Sequence, residues 1–228
     1  MLTFLILFLL FWSPNAEVQD GAKIDVAKLP GKAAMVREFV PSGWTIEAQI
    51  EGDLNKDSIP DLAVTLVEQM PANADKDNPP ERQRALLLLF KTTDGKFSRA
   101  ALANKVLLCT RCGGAFYGMV ETPVNVEISN GVVIVKQEYG SRELTEETFR
   151  FRYEPESRQF AFIGMDVKSF DRMLGKGVTE SSNFLIGVKF ITKTRLDPQT
   201  DKTTTTSNTR QRIKQDKKFI ENVASGYN

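Results

Sequence analysis

Apolar and polar side chains alternate along most of the chain after residue 43, a pattern typical of strands that place one face on a core and the other in water. The clearest case is residues 44–51, in which every second residue is apolar. Residues 62–67 are apolar on both faces of an extended chain. This second pattern predicts a central strand that is covered on both sides.

Short turn-forming sequences separate further pairs of predicted strands. Asn130-Gly131 and Asp94-Gly95 are the strongest of these turns, because glycine takes a positive φ without steric cost. The predicted pairs are residues 85–91 with 97–101, 124–129 with 132–138, 149–153 with 159–167, and 188–194 with 202–213. Successive hairpins of this kind predict a mainly β fold, an antiparallel meander. The periodicity leaves open whether it closes into a barrel, packs as a sandwich or remains a curled sheet.

The segment before the first strand has helical spacing instead. Apolar residues between Val26 and Val40 recur three and four positions apart, with an interruption at Pro30-Gly31. We therefore predict one short N-terminal helix from about Lys32 to Phe39. Residues 17–228 are expected to form a single domain that ends in a basic C-terminal hairpin.

Residues 2–12 form an apolar run that is too short for a transmembrane helix and has the length of the apolar part of a signal peptide. We predict a signal peptide over residues 1–16 and a secreted or periplasmic mature chain. No Lys or Arg precedes the run, and Pro14 fits a cleavage site poorly. An uncleaved anchor, a start codon placed too late in the gene and a buried core helix therefore stay open as alternatives.

Composition excludes several classes of active site. The 228 residues include 30 basic and 29 acidic side chains, no histidine and two cysteines. Without histidine the chain cannot build a Ser-His-Asp or Cys-His nucleophile or a His-ligated zinc site. The formal charge of +1 gives no overall attraction to nucleic acid.

One loop carries the pattern of a calcium site. Calcium prefers six to eight oxygen ligands, which a tight turn can supply when oxygen-bearing side chains recur at every second residue. This spacing predicts as metal ligands the side chains of four residues and the backbone carbonyl of a fifth, namely Asp53, Asn55, Asp57 and Asp61 with Ile59. The alternative is an ordinary turn made of Asp, Asn and Pro.

The segment GDLNKDSIPDL, residues 52–62, resembles the calcium loops of FG-GAP repeats in integrin α-chain propellers and, more loosely, EF-hand and dockerin loops. The resemblance covers about eleven residues and implies calcium coordination by the same five positions. Ser58 stands where the family has glycine. If Ser58 must take a positive φ, the departure costs roughly 1 kcal/mol and weakens the site.

Three segments together resemble a group of exported bacterial proteins of unassigned function: the loop just described, Cys109-Thr110-Arg111-Cys112-Gly113-Gly114 and Asn183-Phe184-Leu185-Ile186-Gly187. The resemblance spans most of the mature chain. It implies export and supplies no activity.

Cys109 and Cys112 are expected to form a disulfide after export, because an oxidising compartment favours pairing of the two thiols. The bond would clip a short turn. Two alternatives stay open: the dithiol of a thiol oxidoreductase, and two sulfur ligands of a metal site.

Residues 189–218 carry nine Lys or Arg and three Asp, a local balance of 9 − 3 = +6. The excess suggests weak contact with a polyanion or a membrane surface. The alternative is a solvated edge strand whose lysines prevent edge-to-edge pairing.

These observations predict a non-enzymatic binding or envelope-associated module with one structural calcium ion. The alternative hypothesis is an enzyme of one of two kinds, a thiol oxidoreductase that uses Cys109 and Cys112 or a hydrolase that uses paired carboxylates. Glu146-Glu147 is one such pair, although such residues are more often solvated.

Overall fold

A computed structural model describes residues 23–226 of the chain. The predicted signal peptide, residues 1–16, lies outside the described residues. Two antiparallel sheets carry most of the regular structure, which confirms the mainly β fold. No helix among residues 23–226 is long and apolar enough to span a bilayer.

The first sheet has five strands in the order β1-β5-β4-β3-β2. Its strands are β1 (Lys32–Ala33), β2 (Trp44–Gly52), β3 (Asp61–Glu68), β4 (Arg84–Lys91) and β5 (Phe97–Ala103). A long loop, residues 69–83, lies between β3 and β4. Each of the strands β2 to β5 pairs with its neighbour in the chain, and the β4–β5 pair is the hairpin predicted around Asp94-Gly95.

The second sheet has seven strands in the order β12-β11-β10-β9-β8-β7-β6, a meander throughout. Its strands are β6 (Val124–Ser129), β7 (Val132–Gly140), β8 (Glu143–Glu154), β9 (Gln159–Asp171), β10 (Lys176–Asn183), β11 (Val188–Asp197) and β12 (Lys202–Arg212). Asn130 and Gly131 both have positive φ, 51° and 76°, as a tight type I′ hairpin turn requires.

The two sheets enclose a shared core, so of the three architectures left open the chain adopts the packed pair of sheets. The five-stranded sheet contributes small and aliphatic side chains, including Leu86 and Leu88, and the seven-stranded sheet contributes Phe149, Phe151 and Phe160. The sheets lie close together at Gly52, where an added Cβ would lie 2.4 Å from a side-chain carbon of Ile128.

The opposite face of the five-stranded sheet is covered by the N-terminal segment. Ile24, Leu29 and Phe39 pack on alternate residues of β3 and β4, including Val64 and Leu87. This second layer explains why β3 is apolar on both faces.

The predicted N-terminal helix at Lys32–Phe39 is wrong. Residues 32 and 33 form β1 against the edge of β5, and a 3-10 helix covers Val36–Phe39. An eight-residue helix is marginal by itself, whereas an extended entry gains the β5 hydrogen bonds and buries Phe39. Three other 3-10 helices lie at Val26–Lys28, Gly114–Phe116 and Ile220–Asn222.

The strands β10, β11 and β12, here called the outer strands, contribute no buried residue to the shared core. All eleven residues of β12 are exposed. The chain then returns across the sheet through residues 213–218, here called the strap. Beyond the strap, Phe219 bridges to Ala161, and Ile220 and Val223 enter the core.

Candidate functional site

The predicted calcium ligands lie in the loop that joins β2 to β3. This loop packs on the β6–β7 turn, since an added Cβ at Gly131 would lie 3.7 Å from the carbonyl oxygen of Asp53. Within the loop, Leu54 is buried in the shared core and anchors the chain. The oxygen-bearing side chains are therefore held at one end of the two sheets.

Asp61 is held in place by backbone hydrogen bonds at the end of the loop. Its side chain is fully buried at the start of β3, where its two oxygens accept hydrogen bonds from the backbone N–H groups of Leu54 and Lys91, each at 2.9 Å. Burial raises the pKa of Asp61, the backbone donors oppose that rise, and the negative charge of Asp57 adds to it. Among the described residues, no Lys or Arg pairs with this carboxylate.

The other side chains of the loop fold back on its backbone. Asp53 accepts from the N–H groups of Lys56 at 2.6 Å and Ser58 at 2.9 Å. Asn55 and Asp57 each accept from the N–H two residues further along the chain, at 3.0 and 2.8 Å. These bonds turn the oxygens toward the loop and fix its winding.

Two residues of the loop hold left-handed backbone conformations. Lys56 has φ 67° and Ser58 has φ 69°. Ser58 thus takes the positive φ for which the FG-GAP family uses glycine. Each non-glycine residue in this region costs roughly 1 kcal/mol, so the loop stores local strain beside a buried carboxylate.

The chemistry of the predicted ligands suits calcium, whereas the spacing of their oxygen atoms suits it only in part. All the predicted ligands offer hard oxygen atoms, which calcium prefers. The oxygens of Asp53, Asp57 and Asp61 do not all lie within 4.8 Å of one another; within residues 23–226 that spacing is met by Glu81, Cys109 and Cys112. At least one of these carboxylates would therefore have to move for the three to share an ion.

Cys109 and Cys112 are joined by a disulfide, which confirms the predicted pair. Both residues are buried and pack with Leu108 against Val124 and Tyr139, at the end of the shared core. The sulfurs are neither thiolates nor open to a substrate in this state. The geometry therefore supports the structural role, and Glu81 beside them has no thiolate with which to share a metal.

Glu147 is a buried residue that sequence reasoning missed. The expectation for Glu146-Glu147 was a solvated pair, and only Glu146 fulfils it, as an exposed partner of Lys168. Glu147 accepts hydrogen bonds from Ser225 Oγ at 2.8 Å and Gly226 N at 2.9 Å, and Tyr139 also donates to it. It joins the C-terminal residues to β8 and is not open to a hydrolysis substrate.

The basic stretch of residues 189–218 forms β11, β12 and the strap. Several of its charges are paired at the surface, among them Lys189 with Glu180 at 2.6 Å and Lys217 with Glu154 at 2.6 Å. Most of its other basic side chains are exposed, including those of β12. The local excess of positive charge therefore lies on the outer strands and on the strap that crosses them.

Comparison with known proteins leaves the loop as the principal clue. No protein-family model, curated protein or solved structure matches this chain.

Proposed function

We propose that this is an exported, non-enzymatic β protein that binds one calcium ion in the β2–β3 loop, where the ion stabilises the fold. The observation that carries the proposal is Asp61, a fully buried carboxylate with no basic side chain paired to it among the described residues. Asp53, Asn55 and Asp57 lie in the same short loop, so their oxygens are the nearest set that could share an ion with it.

An ion would act on the loop through electrostatics. Burial is the main cause of the raised pKa of Asp61 and the charge of Asp57 adds to it, so the ionised form of this carboxylate is less favourable than in water. A divalent cation would stabilise the ionised carboxylates of the loop and offset the backbone strain at Lys56 and Ser58. Calcium suits the loop better than magnesium, because its flexible geometry tolerates donors that must move to meet it.

Export is supported by two independent features. Residues 2–12 have the length of a signal-peptide core, and the two cysteines are paired in a disulfide, which persists in oxidising compartments. A secreted or periplasmic location also exposes the loop to calcium at concentrations that fill weak sites.

A binding or envelope-associated role is supported by the absence of accessible chemistry at the two sites that an enzyme would use. The disulfide is buried, and the oxygens of Glu147 bond to Ser225, Gly226 and Tyr139. Strand β12, by contrast, is exposed along its whole length and offers a polar surface for contacts.

The test is thermal unfolding of the mature protein in calcium, in magnesium and in chelator. For a site with a Kd near 10⁻⁴–10⁻³ M, 10 mM calcium should stabilise the protein by about 1 to 3 kcal/mol, which raises the Tm by several degrees. Asp57→Ala should lose most of that rise. Asp77→Ala removes an exposed carboxylate from the β3–β4 loop and should keep it.

Equal melting curves in calcium and chelator would overturn the proposal. So would a rise that is as large in magnesium, or one that Asp57→Ala retains in full, because either result would place the ion outside the loop or make it non-specific.

A further inference from the structure

A cavity of about 320 Å³ lies between the strap and strands β9, β10 and β11. The strap is fixed at both ends: Ile213 N donates to the carbonyl of Gly187 at 2.9 Å, and the carbonyl of Lys218 accepts from Phe162 N at 2.9 Å. Between these two anchors the strap passes over β9 and β10. The cavity is therefore roofed by a segment that the fold holds in place.

The floor of the cavity is apolar. It is formed by Phe162, Met165 and Val167 of β9 and by Phe184 after β10. The rings of Phe162 and Phe184 lie 4.7 Å apart at their centroids, and Phe162 also stacks on Phe151 of the core. All four floor residues are only partly buried, so part of their apolar surface is open to the cavity.

The rim of the cavity is basic. Three lysines line it, Lys189 from β11 and Lys214 and Lys218 from the strap, together with the carboxylates of Glu180 and Asp216, so the lining has a balance of 3 − 2 = +1. Lys189 is paired with Glu180 and Lys214 with Asp216, whereas Lys218 has no carboxylate within 4 Å among the described residues. The surrounding stretch, residues 189–218, has a local balance of 9 − 3 = +6. The electrostatic field at the rim thus favours an anion.

We propose that this cavity binds a small amphiphile, a carboxylate with a short hydrocarbon tail, with the tail on the phenylalanine floor and the head at the lysine rim. An apolar cavity with a few convergent polar groups is the usual form of a small-molecule site. The volume of 320 Å³ holds about ten non-hydrogen groups at roughly 30 Å³ each. A tail of eight to ten carbons is of that order. The proposal is independent of calcium binding at the β2–β3 loop.

Charge decides among occupants. A cationic amphiphile would meet the charge of Lys218, which is unpaired within residues 23–226, and a fully polar anion would leave the phenylalanine floor in contact with water. A second copy of the chain would bring a second basic stretch to the same surface, so like charges would oppose that contact. An anionic amphiphile is the class that satisfies both the floor and the rim.

The experiment is calorimetric titration of the mature protein with sodium decanoate below its micelle concentration, with decyltrimethylammonium as the probe of opposite charge and equal tail. We expect saturable 1:1 binding of decanoate and none of the ammonium compound. Lys218→Glu should weaken decanoate binding about tenfold, because a favourable charge is replaced by an unfavourable one. Lys176→Glu, at the far end of β10, makes the same charge change away from the cavity and should bind as the parent does.

The lysine variants alter exposed side chains, and the comparison of the two amphiphiles needs no variant at all. Absence of saturable decanoate binding would overturn the proposal, as would equal binding of both amphiphiles or equal weakening by Lys218→Glu and Lys176→Glu. A stable dimer in size-exclusion chromatography that decanoate does not dissociate would assign the cavity to a second copy of the chain and would also overturn it.

Discussion

Strands β3 and β12 use the same backbone geometry in opposite surroundings. Seven of the eight residues of β3 are buried, between the seven-stranded sheet on one side and the N-terminal segment on the other. All eleven residues of β12 are exposed, and the strand has one neighbour, β11. The buried side chains of the shared core therefore lie in the five-stranded sheet and in strands β6 to β9 and the C-terminal residues that pack on them, whereas β12 contributes none.

The two regions should differ most in how much the free energy of unfolding falls when a side chain is removed. Leu88→Ala deletes a fully buried side chain of β4 from the shared core and should lower the free energy of unfolding by about 2 to 5 kcal/mol. Urea unfolding at equilibrium measures it. A loss below 1 kcal/mol would mean that the core relaxes to fill the space and that the contrast with the outer strands is smaller than burial indicates.

The disulfide should make the next largest contribution to the stability of the buried region. Replacing both Cys109 and Cys112 with alanine should lower the free energy of unfolding by about 2 kcal/mol, because the unfolded chain regains the freedom that a short closed loop removes. Thiol titration of the parent, native and in urea, supplies the control and should detect no free thiol. A reactive thiol in the native protein would favour the oxidoreductase alternative.

Truncation of a β12 side chain to alanine should change the free energy of unfolding far less than Leu88→Ala does. Thr205→Ala changes an exposed residue in the middle of the strand, opposite Thr194, and should alter the free energy of unfolding by less than about 0.5 kcal/mol. The same urea experiment applies. A cost above 1 kcal/mol would show that the edge is covered in solution, for instance by another chain.

The smallest effect is electrostatic and concerns the turn between β9 and β10. Arg142 holds the pKa of Asp171 at about 2, with help from the N–H groups of Leu174 and Met173. Since this folded-state pKa lies below the unfolded value near 4, its contribution to stability is present above pH 4 and is lost as the pH falls toward 2.

Arg142→Gln should move the pKa of Asp171 upward, and carboxyl NMR titration measures the shift. Asp94, in the β4–β5 turn of the other sheet, also has a pKa of about 2, which a hydrogen bond from Thr92 lowers most. Its pKa should stay unchanged in the variant. An equal shift at both aspartates would indicate a change in the whole fold and not the loss of one ion pair.

The predicted strands were correct where a side-chain pattern or a turn signal was strong. Asn130-Gly131 fixed one hairpin, and the doubly apolar residues 62–67 identified β3. Strand β10 was missed because Lys176–Asn183 contains one aliphatic residue, Val178; its conformation comes from hydrogen bonds to β9 and β11. The N-terminal helix failed because its apolar residues pack on a sheet that local spacing cannot reveal.

The candidate site was predictable in composition and not in geometry. The sequence identified the loop residues and the position of strain at Ser58. The sequence could not place the carboxylate oxygens relative to one another, because their positions depend on which backbone N–H group donates a hydrogen bond to each oxygen. The burial of Glu147 was equally hidden, because its partner Ser225 lies 78 residues away along the chain.

The late position of Ile220 and Val223 in the chain has a consequence for biogenesis. These two residues fill the interior between the sheets, so a nascent chain cannot complete its packing until some 220 residues have emerged from the ribosome. Until then the interior between the sheets lacks two of its buried side chains, so the docking of residues 219–223 is expected among the last steps of folding.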